Sequence, residues 1–181
     1  MNNAATLPET DATRLDALRA RLADDPSGVL EILAHEYGVS MKAVIECLPE
    51  TCRTLVAGAQ AEAALLDIAA WGAVTVLVHT QDVILECKGP LPAGRIAHGF
   101  YNIGGGSPVS GHLRLDRCQT IAFVRRPFMG AESYSVNFLN AEGEAMFKVF
   151  VGRDEKRVLL ADQVERFGAL RDRLAAAGAV A

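Results

Sequence analysis

The sequence predicts an α+β fold: an antiparallel β-sheet of about seven strands with a helical N-terminal region and a C-terminal helix packed on the sheet. Three observations carry this expectation. Up to Trp71 apolar residues recur at intervals of three and four; from Gly72 to Val151 they alternate with period two; after Leu159 the helical period returns. No helical pattern interrupts the middle block, so its strands should pair mostly antiparallel.

Taking the elements in order, residues 1–10 are polar and are expected to form a flexible tail. A first helix is expected over 10–23, with Leu15, Leu18 and Leu22 on one side and Arg14, Arg19 and Arg21 on the other. The run Asp24, Asp25, Pro26, Ser27, Gly28 breaks it. A second helix over 29–37 stops at Gly38, and Ser40 is placed to cap a third that runs to Leu48, before Pro49. Residues 62–71 offer one more, with Ala63, Leu66, Ile68 and Ala69 as its apolar side. We therefore divide a single domain over 11–181 into a helical portion, 11–58, and a sheet with its C-terminal helix, 59–181.

Short β-branched or aromatic runs separated by turn residues predict strands over 73–80, 83–88, 96–103, 111–115, 120–125, 133–139 and 145–151. The turn Asn140, Ala141, Glu142, Gly143 between the last two is the strongest hairpin signal. Over 159–177, Val164, Phe167, Leu170 and Leu174 make an apolar stripe, with Arg166, Arg171 and Arg173 on the wet side.

The totals restrict function. Of 181 residues, 50% are hydrophobic and 22% charged, which suits one compact domain. A net charge of −4 argues against general affinity for nucleic acid or an anionic membrane, both of which need a basic surface. Cys47, Cys52, Cys87 and Cys118 form no CxxC pair, and the N-terminus shows neither a basic nor an apolar leader region, so reduced thiols in the cytoplasm are expected. The apolar stretch 69–78 is too short to span a bilayer.

Several motifs are weaker than they look. The helix pair around His35–Ser40 has helix-turn-helix spacing, which would suit a regulatory DNA-binding module. Its second helix, however, sets Lys42 against Glu46 and Glu50 and offers no arginine to phosphates or bases. Gly104, Gly105, Gly106 and Ser107 lack the Lys-Ser/Thr pair of a phosphate loop. Neither a GxSxG elbow nor an HExxH zinc helix is present.

The histidines are more informative. In the strand 73–80 the pleat puts Val74, Val76 and Val78 on one face and Thr75, Leu77 and His79 on the other. In 111–115, Leu113 and Leu115 should look inward and His112 and Arg114 outward. Two such imidazoles suit a planar iron macrocycle, which needs a neutral imidazole nitrogen, a broad apolar bed and cations for its propionates. Phe100, Tyr101, Phe128, Met129, Phe147 and Phe150 are candidates for the bed; Arg95, Arg114, Arg125, Arg126 and Lys148 are candidates for the charges.

From Trp71 onward the sequence resembles the cytosolic haem-utilisation carriers of the HutX/ChuX family. The resemblance rests on Val-Leu-Val-His-Thr at 76–80, Gly-Pro-Leu-Pro at 89–92, His-Gly-Phe-Tyr-Asn at 98–102, Ser-Gly-His-Leu at 110–113, Arg-Pro-Phe-Met-Gly at 126–130, Asn-Ala-Glu-Gly-Glu-Ala-Met-Phe-Lys at 140–148 and Val-Gly-Arg-Asp at 151–154. Residues 31–49 are also similar to the family's helical N-terminal portion, whereas the Gly104–Gly106 insert is looser than its pattern. The resemblance implies a homodimer with large antiparallel sheets, similar to half of the larger bacterial haem-trafficking and haem-degrading proteins. It also implies haem binding, with the family's haem-associated histidines falling on His79 and His112. We expect one of the two to supply an axial ligand to iron and the other to be a second ligand or distal partner, with the haem passed to a downstream haem-accepting enzyme or apo-protein. His98 lies in a matched run, as do Arg126, Phe128 and Met129, and we expect these four on the cofactor surface with Arg126 toward a propionate. A haem-degrading or haem-reducing enzyme is the alternative from the same fold, and a ligand-free structural dimer is the plainest one.

Overall fold

Gly72, at a φ of +86°, marks the entry into the sheet, where the apolar period changes. The computed structural model describes residues 11–178, so the tail expected over 1–10 lies outside the described residues. Along the chain run α1 (Asp11–Asp24), α2 (Leu30–Tyr37), α3 (Met41–Cys47), β1 (Arg53–Ala57), α4 (Ala61–Ile68), β2 (Ala73–His79), β3 (Ile84–Pro90), β4 (Arg95–Ala97), β5 (Phe100–Ile103) and β6 (Gly111–Leu113). They are followed by β7 (Thr120–Phe128), β8 (Ala131–Leu139), β9 (Ala145–Phe150) and α5 (Ala161–Gly178). The fold class is the predicted one.

The strands form two antiparallel sheets rather than one of about seven strands: six in the order β1-β7-β8-β9-β2-β3, and three in the order β4-β5-β6. Two local features account for the difference. The stretch expected as a strand over 96–103 is folded in two, because His98 and Gly99 take φ of +54° and +79° and reverse the chain between β4 and β5. In addition, β1 lies inside the portion expected to be helical and pairs with β7 from Arg53↔Val124 to Ala57↔Thr120 at the sheet edge. The β8–β9 hairpin forms at the expected turn, where Asn140 Oδ1 accepts from the Glu144 N–H at 2.8 Å.

The pleat of the large sheet divides its residues between two cores. Ile121, Phe123, Val136, Phe138, Val149 and Val74 face α4, α5 and the inner side of the small sheet, which contributes Tyr101 and Ile103. Ala122, Val124 and Leu139 face the N-terminal helices, which contribute Leu18, Leu22, Leu33, Val44 and Ile45. Leu18 and Leu22 are fully buried, and each such side chain contributes on the order of 2 kcal/mol to holding α1 in place.

The α2–α3 corner follows the sequence closely. Gly38 adopts the left-handed conformation that ends α2, and Ser40 Oγ accepts from the Ala43 N–H at 3.3 Å to cap α3. Met41, Val44 and Ile45 are buried beneath α3, while Lys42 and Glu46 pair at 2.7 Å on its outside. This docking sets α2 over the β9–β2 region. Among the described residues no helix is long and apolar enough to cross a membrane.

Candidate cofactor site

β2 ends on His79, and its alternation is as predicted: Val74, Val76 and Val78 pack into the α4–α5 core, leaving Leu77 and His79 on the opposite face. Leu77 is directly across from Lys148 of β9, so Lys148 shares that face with His79. Glu31 of α2 meets both. Its carboxylate ion-pairs with the Lys148 ammonium and lies 3.3 Å from His79 Nδ1. Burial pushes the Lys148 pKa down from the usual lysine value, an effect that Glu31 opposes.

A cleft of about 970 Å³ opens beside this trio, within the range of small-molecule pockets. Ile32, His35 and Val39 from the helical side and His79, Thr80 and Glu144 from the strand side are among its walls. His79 sits at this rim with 15% of its side chain exposed.

His112 occupies a different layer. It lies on β6 directly across from Asn102 of β5, and its Nδ1 is 2.7 Å from Asn102 Oδ1. The Phe100 ring meets the imidazole edge-on at 5.9 Å, and the Arg114 guanidinium lies 5.7 Å from the same ring. Arg114 is itself paired with Asp116 through two bonds of 2.9 and 2.7 Å. Leu113 turns inward to the core that Val74 belongs to, so His112 faces away from the large sheet and does not line the cleft beside His79.

The other expected residues are dispersed. His98 stands exposed at the β4–β5 turn. Arg126 is buried; it donates to the carbonyls of Pro26 and Gly28 at 3.0 and 2.7 Å and covers Phe128 at 5.1 Å, fastening the α1–α2 loop to the sheet. Phe128 ends β7, and Met129, 87% exposed with a φ of +50°, forms the turn to β8. None of these four lines the cleft.

Of the aromatic residues, Tyr101 and Phe147 are core: the Tyr101 hydroxyl accepts from the Gly94 N–H at 2.8 Å, and Phe147 stacks on Phe138 at 4.4 Å. Phe100 stays accessible, and Arg125 is paired with Glu132 at 3.0 Å. Glu31 and Asn102 were not singled out as site residues from the sequence. Their roles rest on contacts between distant segments, for which the chain carries no local signal.

These residues fit a haem. An iron porphyrin asks for an imidazole whose one nitrogen is anchored so that the other is directed, and for apolar surface alongside. His112 has Nδ1 anchored to Asn102, and His79 has the Glu31 carboxylate 3.3 Å from its Nδ1. Ile32 beside the first and Phe100 beside the second leave apolar area open to solvent.

Comparison with known proteins agrees with this. Residues 54–170 match the family described as Haem utilisation ChuX/HutX. The intracellular heme transport protein HutX of Vibrio cholerae is 37% identical over 151 residues, covering 83% of this chain and 78% of that protein. Among solved structures, a protein from Erwinia carotovora is 47% identical with a TM-score of 0.84, covering 87% of this chain and 98% of the other. The heme binding protein ChuX is 41% identical with a TM-score of 0.80 over the same shares. The fold alone also extends to PhuS of Pseudomonas aeruginosa, at 16% identity and a TM-score of 0.72, where 92% of this chain covers 49% of the longer one.

Proposed function

Since this chain belongs to the ChuX/HutX haem-utilisation family, we propose that it is a cytoplasmic haem carrier, which takes up the cofactor through histidine and hands it to a haem-accepting enzyme or apo-protein. The observation that carries this reading is the placement of two imidazoles. His79 stands beside a cleft with Glu31 3.3 Å from its Nδ1, and His112 is hydrogen-bonded at Nδ1 to Asn102 on an accessible sheet. The His112 bond leaves Nε2 as the nitrogen for iron. Bound haem would supply a Lewis-acidic iron centre. The protein's part is to orient an imidazole toward it, to cover its apolar faces and to keep the site open enough for release.

The two histidines stand on separate layers of one chain, so we assign them as ligands that meet on a single macrocycle only when two copies come together. A homodimer is the natural form for that. It is supported by the outermost strand, β3, where Ile84 and Leu85, together with Val83 just before the strand, are 57%, 61% and 43% exposed along an edge that no other described strand pairs with. We place Arg126 outside the cofactor surface, as the fastening of the α1–α2 loop.

A carrier and a haem-degrading enzyme are separated by what happens to the cargo. Mixed with excess apomyoglobin, the haem complex should transfer intact haem. Given a reductant and oxygen, it should release neither iron nor a linear tetrapyrrole. Loss of the macrocycle at a catalytic rate would overturn the carrier reading in favour of the enzyme.

A further inference from the structure

The Asn102 amide is oriented by what surrounds it. Its Nδ2 faces three backbone carbonyls, of Ala97 and Phe100 at 2.9 Å and of Arg95 at 3.3 Å. A carbonyl oxygen only accepts, so the amide end that meets these three must be the one carrying hydrogens. The other end is therefore the oxygen, and it lies 2.7 Å from His112 Nδ1. An amide oxygen also only accepts, so the imidazole must donate from Nδ1.

For a neutral imidazole this fixes the tautomer: the proton is on Nδ1 and Nε2 keeps its lone pair. An unconstrained neutral histidine mostly carries its proton on Nε2, where it would have to be displaced before the nitrogen could bind a metal. The β4–β5 turn supplies the constraint. Because His98 and Gly99 reverse the chain there, the Arg95, Ala97 and Phe100 carbonyls converge on one amide, and the cross-strand register of Asn102 with His112 brings that amide to the ring. Ring orientation is fixed at the same time, since the Phe100 edge closes one side.

We propose that Asn102 is the positioning residue that holds His112 in the Nδ1–H tautomer and so presents an unprotonated Nε2 to haem iron. This rests on the reading of His112 as an iron ligand. The same residue ties the small sheet together, so its effect on binding must be separated from an effect on folding.

Nitrogen-15 NMR of the haem-free full-length protein, labelled at histidine, reads the tautomer directly and needs no variant. His112 should show a protonated Nδ1 and a pyridine-like Nε2. In Asn102→Leu the proton should move largely to Nε2, and haemin affinity should fall about tenfold or more, the usual effect of removing the partner that orients a metal-binding histidine. In a His112→Ala background the same Asn102→Leu change should leave the remaining affinity unaltered.

If wild-type His112 carries its proton on Nε2, or if Asn102→Leu weakens haemin binding equally with and without His112, the positioning role is wrong even where His112 is the ligand. If His112→Ala binds haemin with unchanged affinity and spectrum, His112 is not the ligand and the proposal falls together with that assignment. Should Asn102→Leu fail to fold, the wild-type spectrum alone decides.

Discussion

Lys148 of β9 and Glu31 of α2 form an ion pair in which only 7% of the lysine side chain is exposed. The pair links the N-terminal helices to the sheet, and the same carboxylate reaches His79 Nδ1. Removing one partner of such a pair strands the other, which costs more than replacing both with apolar groups. Glu31→Ala should therefore destabilise the protein by about 3 kcal/mol. In Glu31→Ala/Lys148→Met, compared with each single variant, much of that loss should return. Urea unfolding midpoints at unchanged slope are the measurement, and additive losses in the double variant would mean that the two residues are not coupled.

Cys118 gives a pH signature. Its thiol is buried between β6 and β7, and burial pushes its pKa from the usual 9.0 up to about 11. The folded protein thus keeps a proton that the unfolded chain gives up. The resulting stabilisation is fully present below pH 9 and is lost as pH rises through about 11. Cys118→Ala should show a shallower alkaline decline in unfolding free energy than the wild type across this window. Identical slopes in the two proteins would contradict the assignment.

The unpaired β3 edge makes the oligomer testable. Light scattering on the wild type should give twice the 19.3 kDa mass of the chain, and Leu85→Lys should bring it back to 19.3 kDa, because an inserted charge on an exposed strand edge opposes pairing. A wild type that stays monomeric at the concentrations used for haemin binding would remove the shared site.

What the sequence made legible is what local periodicity encodes. The pleat of β2 placed His79 opposite Val74, Val76 and Val78, because alternation over seven residues is enough to define a face. Gly38 and Ser40 likewise marked the α2–α3 corner, since caps are local chemistry. β1 was missed because five residues at a sheet edge, three of them only partly buried, carry little alternation. The β4–β5 reversal was missed because His98, rather than a glycine pair, takes the first positive φ.

The site divides in the same way. The strand positions of the two histidines were legible, whereas Glu31 beside His79 and Asn102 beside His112 emerge only when α2 folds over β9 and when β5 registers with β6. Arg126 illustrates the opposite case. Its charge and its position in a matched run suggested a propionate partner, but the fold uses its guanidinium to hold the Pro26 and Gly28 carbonyls.

Whether imidazole from these two strands holds haem iron is read from a haemin titration of the wild type beside His79→Ala/His112→Ala. The wild type should develop a shifted, saturable Soret band, and the double variant, folded to the same extent by circular dichroism, should leave only the broad absorption of free haemin. A double variant that titrates with the wild-type spectrum and affinity would show that neither histidine holds the iron.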